Sequence, residues 1–127
     1  MNKLTTTFLL LSLVSTTVFS QSGWNWGEQI DVAKEKNAIY TDLVKLKKYK
    51  ESIEAHAWLI ENTPDLNESL YQNGAKIYSG LANNETDKIQ KATYQAKALE
   101  MYDLRIKYFG NEASILNRKA FPAYKFY

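Results

Sequence analysis

His56 is the only imidazole in the chain, and no cysteine is present. One His cannot build a multi-histidine metal site within a chain. The lack of thiols removes disulfides, thiolate zinc sites, iron–sulfur clusters and cysteine nucleophiles. General acid–base work by His56 needs an oriented carboxylate. Its nearest acids, Glu54 and Glu61, stand two and five residues away, which is a poor spacing for a partner on one helix. No Ser follows a nucleophile-elbow pattern and no Gly-rich phosphate loop occurs. No catalytic set, metal site or cofactor is therefore expected. The residue types instead suit recognition: aromatics make up 13% of the chain, and Tyr and Phe supply contact area at little side-chain entropy.

Charge narrows the partners. The net charge of +2, from 16 Lys plus Arg against 14 Asp plus Glu, is too small and dispersed for nucleic acid as the main ligand. Lys45, Lys47, Lys48 and Lys50 form a basic corner, but Asp42, Glu51 and Glu54 dilute it into an ordinary solvated turn. Asn67-Glu68-Ser69 matches an N-glycosylation triplet and is discounted at a helix start in a bacterial-looking chain.

The elements that must position these residues are helices. Val32, Ile39, Leu43 and Leu46 recur at helical spacing, as do Tyr49, Ile53, Ala57 and Ile60. Leu66, Leu70, Gly74, Ile77 and Leu81 form a third set, and Ile89, Ala92, Ala96, Leu99, Tyr102, Ile106 and Phe109 a fourth. Strand-period alternation and hairpin turn dipeptides are missing. Pro64 stops the second helix, while Asp65 with Glu68 and Asp87 with Gln90 have capping-box spacing. Asn83-Asn84 breaks the third helix, Gly110 suits the left-handed position after the fourth, and Pro122 should kink or stop the fifth. The expected helices lie near 29–46, 49–62, 66–82, 88–109 and 112–121. Short connections make neighbours antiparallel, so the chain is all-α: stacked hairpins or a compact bundle.

Residues 1–20 have the layout of a bacterial-type secretory signal: Lys3, an apolar run from Leu4 to Phe19, then compact residues before Gln21. The apolar part is short of the roughly 20 residues of a spanning helix, so cleavage after Ser20 and export to the periplasm or medium are expected, with no stable membrane anchor afterwards. The leader 21–30 carries Trp24 and Trp26, which are expected to cover the open end of the first hairpin.

Ser52, His56 four later and Pro64 twelve later resemble the second half of a tetratricopeptide (TPR) repeat, a 34-residue helix–turn–helix unit. Counting back gives a unit over 33–66, in which Tyr40 replaces the family's small residue and Lys36 its large apolar one. Leu70, Gly74 and Ile77 with Ala98 and Tyr102 match a second unit, 67–112, each helix of which is longer by about a turn and a half. A partial third unit, 113–127, has Leu116 and Ala120 at the large and small positions. The likeness extends to exported TPR proteins of Gram-negative bacteria.

The resemblance implies a short TPR-like α-solenoid whose first helices line a concave surface. Asn37, Thr41, Tyr71, Tyr78, Asn117, Phe121 and Tyr124 would face it and bind a peptide or partner helix. Tyr71 and Tyr78, seven apart, equally suit a buried seam. The expected function is a non-catalytic protein–protein interaction module. The alternative is a small exported bundle that binds an apolar or aromatic ligand in its core. About three repeats are needed for stability and this chain holds two and a fraction, so pairing with another copy, a longer native chain or a fold-back stays open.

Overall fold

A computed structural model describes residues 23–127. The expected signal segment, 1–20, lies outside the described residues. Five helices follow one another: α1 (Ile30–Lys45), α2 (Tyr49–Asn62), α3 (Ser69–Asn84), α4 (Lys88–Phe109) and α5 (Glu112–Phe126). The described chain is all-helical, with no strand.

Connections and side-chain pairs give the directions of the helices. Only Leu46–Lys48 join α1 to α2, and Gly27, just before α1, lies beside Asn62 and Thr63 at the far end of α2, so α2 runs back along α1. His56 reaches the Leu70 carbonyl, and Tyr49 lies beside Gly80, so α3 runs back along α2. Tyr78 with Tyr94 and Glu68 with Arg105 make α4 antiparallel to α3, and Asp103 with Lys119 does the same for α5. Each helix packs on the next, α1 also reaches α3, and the backbone of α4 comes close to neither α1 nor α2.

The helix ends have local causes. α2 stops where Thr63 folds back on Leu59: its amide and its hydroxyl both donate to the Leu59 carbonyl. The expected capping box at Asp65 and Glu68 does not form. Asn67 takes the role, its Oδ1 accepting from the Leu70 amide at 2.9 Å, while Asp65 accepts from Asn25 and Glu68 pairs with Arg105. The start of α3 therefore moves to Ser69. At α4 half of the expected box forms: Asp87 accepts from the Gln90 amide at 2.7 Å, and the Asp87 amide donates to Glu85 instead. Gly110 takes a positive φ of 76° at ψ −147°, and the left-handed residue proper is Asn111. Pro122 does not stop α5, which runs on to Phe126. The helix forgoes the bond that a residue-122 amide would make to the Arg118 carbonyl and continues on the remaining ones.

The core does not follow every apolar stripe. In α3, Leu70, Gly74 and Ile77 are buried as expected. In α1, Ala33, Tyr40 and Val44 are buried, while Val32, Ile39 and Leu46 are exposed at 37%, 41% and 66%. In α2 the inward residues are Ser52, Ala55, His56 and Leu59; in α4 they are Ala98, Met101 and Arg105, and Ile89 is in solvent. The small residues Ser52, Gly74 and Ala98 are all buried, and at Gly74 α3 meets side chains of α2 and α4 closely.

Candidate functional site

A line of four rings crosses the first four helices. His56 stands edge-on to Tyr40 at 5.3 Å and to Tyr78 at 6.4 Å, and Tyr78 stacks on Tyr94 at 6.4 Å. His56 is fully buried. Its Nε2 lies 2.8 Å from the Leu70 carbonyl, an acceptor, so Nε2 carries the proton and donates. Nδ1 then keeps a buried lone pair without a partner. Burial pushes the His56 pKa below the ordinary histidine value, against the weaker opposing pull of the Leu70 carbonyl.

That shift has a consequence for stability. The unfolded chain takes up its His56 proton near the ordinary value of about 6.5, whereas the folded chain refuses it until lower pH. Stability contributed by the neutral folded form is complete above that pH and is lost as pH falls toward the lowered value. Between about pH 7 and pH 5, the wild-type melting temperature is expected to fall more than that of His56→Gln, which keeps an N–H donor and does not titrate there. Thermal melts of both proteins at matched pH check this; equal slopes would refute it.

Tyr71 and Tyr78 belong to the seam. Tyr71 is 1% exposed: its hydroxyl donates to the Pro64 carbonyl, and its ring stacks on Tyr108 at 6.0 Å and meets Phe109 at 6.2 Å. Burial raises the pKa of Tyr71, Tyr78 and Tyr40 above the usual phenol value, so these hydroxyls stay protonated across the physiological range. Thr41 is half-buried and its hydroxyl donates to the Asn37 carbonyl at 2.7 Å; Asn37 is half-buried beside it. Asn117, Phe121 and Tyr124 lie exposed on α5. The seven expected contact residues therefore fall into three groups: a polar pair on α1, a buried pair on α3 and an exposed trio on α5.

A crevice of about 140 Å³ opens where α3, α4 and α5 meet. Tyr71, Gln72 and Ala75 come from α3, Met101, Tyr102 and Arg105 from α4, and Arg118 from α5. Arg105 is only 9% exposed, and its Nε and Nη2 both donate to Glu68 Oε2, the Nε bond at 2.8 Å. A buried guanidinium needs such a partner because desolvation is costly. Arg118 is exposed and makes no ion pair among the described residues, so the crevice has an apolar, aromatic floor and a cationic rim. Of the expected contact residues only Tyr71 lines it. Sequence spacing gave no sign of Arg105, because its partner Glu68 stands 37 positions away at the start of another helix.

A second, polar recess of about 320 Å³ lies among Asn25, Glu28, Trp58, Asn62 and Asp65. The leader crosses the end of α2 here: Asn25 donates to Asp65 at 2.8 Å, and Trp26 packs against the core with Lys34 over its ring and Trp24 at 5.4 Å. Among the described residues no group of three or more His, Asp or Glu side chains is placed to hold a metal ion, and no helix is long and apolar enough to cross a membrane. No family model, curated protein or solved structure matches this chain significantly.

Proposed function

We propose that the chain is a non-catalytic interaction module: an exported, TPR-like helical scaffold that holds a peptide or a partner's helix. The observation that carries this reading is the crevice between α3, α4 and α5. At about 140 Å³ it is smaller than the roughly 300–1,000 Å³ of small-molecule sites, and it suits one bulky side chain. Its exposed rim cation Arg118 favours an acidic group on the same peptide, Arg105 being paired with Glu68. The open order of contacts, each helix on the next with α1 also on α3, supports a short solenoid over a closed bundle. Buried Ser52, Gly74 and Ala98, at the spacings that resemble TPR seams, support it as well. The core-ligand alternative finds less support, because aromatic side chains fill the seams.

Peptide display on the full chain tests the proposal. The enriched peptides are expected to pair a bulky apolar residue with an acidic one. Arg118→Glu, an exposed change, is expected to weaken their binding about tenfold or more. A library that yields no enrichment, or binders indifferent to Arg118→Glu, would overturn it. Export has its own readout: intact mass of the protein recovered from the periplasm or medium should begin at Gln21.

A further inference from the structure

We infer that the polar recess beside the leader binds an uncharged sugar, one pyranose ring lying against Trp58 and its hydroxyls held by the side chains around it. The inference does not depend on the crevice or on what the crevice holds.

Three stretches of chain wall the recess. Asn25, Glu28 and Gln29 come from the leader, Trp58 and Asn62 from the end of α2, and Asp65 from the turn that follows. These walls are fixed to one another. Asn25 donates to Asp65 at 2.8 Å across 40 positions, and its own Oδ1 accepts from the Gly27 amide at 3.2 Å. Gly27, at a φ of 67°, passes so close to α2 that a Cβ there would stand 3.2 Å from Thr63 Cγ2. The recess is therefore formed before any ligand arrives. At about 320 Å³ it lies at the lower end of the roughly 300–1,000 Å³ of small-molecule sites, and it exceeds the crevice.

Much of the lining's hydrogen-bonding capacity is unspent. Among the described residues, the side chains of Glu28 and Gln29 make no hydrogen bond. Asn62 and Asp65 each engage one atom: Asn62 Nδ2 donates to the Trp58 carbonyl, and Asp65 Oδ2 accepts from Asn25. Oδ1 of Asn62 and Oδ1 of Asp65 are left for a ligand. The set thus offers amide donors and carbonyl or carboxylate acceptors side by side. That mixture selects the ligand class. An anion calls for cations, and no Lys or Arg lines the recess. An ammonium group calls for acceptors alone and leaves the amide donors idle. A sugar hydroxyl donates and accepts at once, so it engages both kinds. Trp58 supplies the apolar part: it is half-buried and packs against the core, yet still lines the recess. A pyranose with equatorial hydroxyls carries its C–H bonds on a flat face, which suits a ring of that size. Water already satisfies these groups in the free protein, so each new bond gains little, and a dissociation constant of about 1 mM is expected.

Saturation-transfer difference NMR on the full chain tests this. The probes are glucose, galactose, mannose, N-acetylglucosamine and their β-linked disaccharides, with lysine amide as a cationic probe. At least one sugar is expected to receive saturation, most strongly at its ring C–H protons. Gln29→Ala and Asn62→Ala, both at exposed positions and each folded by circular dichroism, should weaken that sugar about threefold or more. Glu28→Gln removes a charge but keeps hydrogen-bonding capacity, and should hold affinity within about threefold. Arg118→Glu, in the crevice, should leave sugar binding unchanged. Three results would each overturn the inference: no sugar in the panel receives saturation, lysine amide binds in their place and is lost with Glu28→Gln, or sugar binding is indifferent to both alanine variants. Failure of peptide binding at the crevice would leave it standing.

Discussion

Replacing Tyr71 and Tyr78 together by alanine is expected to unfold the chain rather than to leave a folded protein with an empty groove. Both rings are buried, at 1% and 5% exposure, and each meets rings from a neighbouring helix. Truncating a buried aromatic to alanine costs about 3–5 kcal/mol each, by lost transfer free energy and by the cavity left behind. Tyr71→Ala also strips the Pro64 carbonyl of its hydroxyl donor, and Tyr78→Ala exposes one edge of His56. The two rings are seven residues apart on α3 and share no direct contact, so their costs are expected to add. Against a total stability of about 5–15 kcal/mol for a domain, the double variant has little left. Far-ultraviolet circular dichroism at room temperature checks it. A double variant with the wild-type helical signal and a cooperative melt would show that these rings do not hold the seam.

The second large effect is at Gly74. Within a helix, Gly to Ala normally gains about 1 kcal/mol through propensity. At Gly74 the sign is expected to reverse. A Cβ there would stand 2.5 Å from the Met101 sulfur, 2.8 Å from His56 Cε1 and 2.9 Å from Met101 Cγ. Met101 can turn aside only in part, and the His56 ring is held by its bond to the Leu70 carbonyl and by the rings on either side. Overpacking of this kind costs about 1–3 kcal/mol, so Gly74→Ala is expected to lower the melting temperature. Gly80, in the same helix, is the control. The three atoms nearest a Cβ there all belong to the ring of Tyr49, which is half-buried where Met101 and His56 are buried. Gly80→Ala also forces a ring aside, but one part-exposed side chain rather than two buried ones, and should be the less destabilising of the two. A Gly74→Ala protein as stable as the wild type would show that α2, α3 and α4 do not meet as closely there.

The two effects share a cause, since His56, Gly74 and Met101 lie in one contact. A ring from α2, a missing side chain on α3 and a flexible thioether from α4 interlock at the middle of the row. The same interlock keeps His56 dry and neutral, which links the pH behaviour of the chain to the packing of this seam.

How much of this could be read from residue order differs from element to element. Helix existence was legible, because apolar residues recur at helical spacing and Pro64, Asp87 and Gly110 carry local stop and start chemistry. α2 and α4 have the boundaries expected for them. α3 begins three residues later than expected because Asp65 and Glu68 are drawn to Asn25 and Arg105, partners that lie 40 and 37 positions away. Pro122 was expected to end α5, yet the rest of the helix ladder carries the chain to Phe126.

Which face of each helix turns inward was less legible. In α1 an aliphatic stripe of Val32, Ile39 and Leu46 competes with one of Ala33, Tyr40 and Val44, and periodicity ranks the more hydrophobic one first. Tyr40 wins because a ring and a hydroxyl are both used inside: the ring meets His56, and the hydroxyl accepts from Asn73 at 3.3 Å. In α4 the charged Arg105 goes inward in place of Ile89, since Glu68 on α3 is there to satisfy it. Residue order alone was enough for an all-helical chain and most of its helix ends, because those follow from local sterics and backbone hydrogen bonding. Only across the tertiary fold is it settled that Tyr71 and Tyr78 are buried in the seam, that a crevice with Arg118 on its rim opens beside Tyr71, and that α1 and α5 keep apolar stripes in solvent. Those outcomes depend on which partner each side chain meets across the fold, and residue order carries no record of that distance.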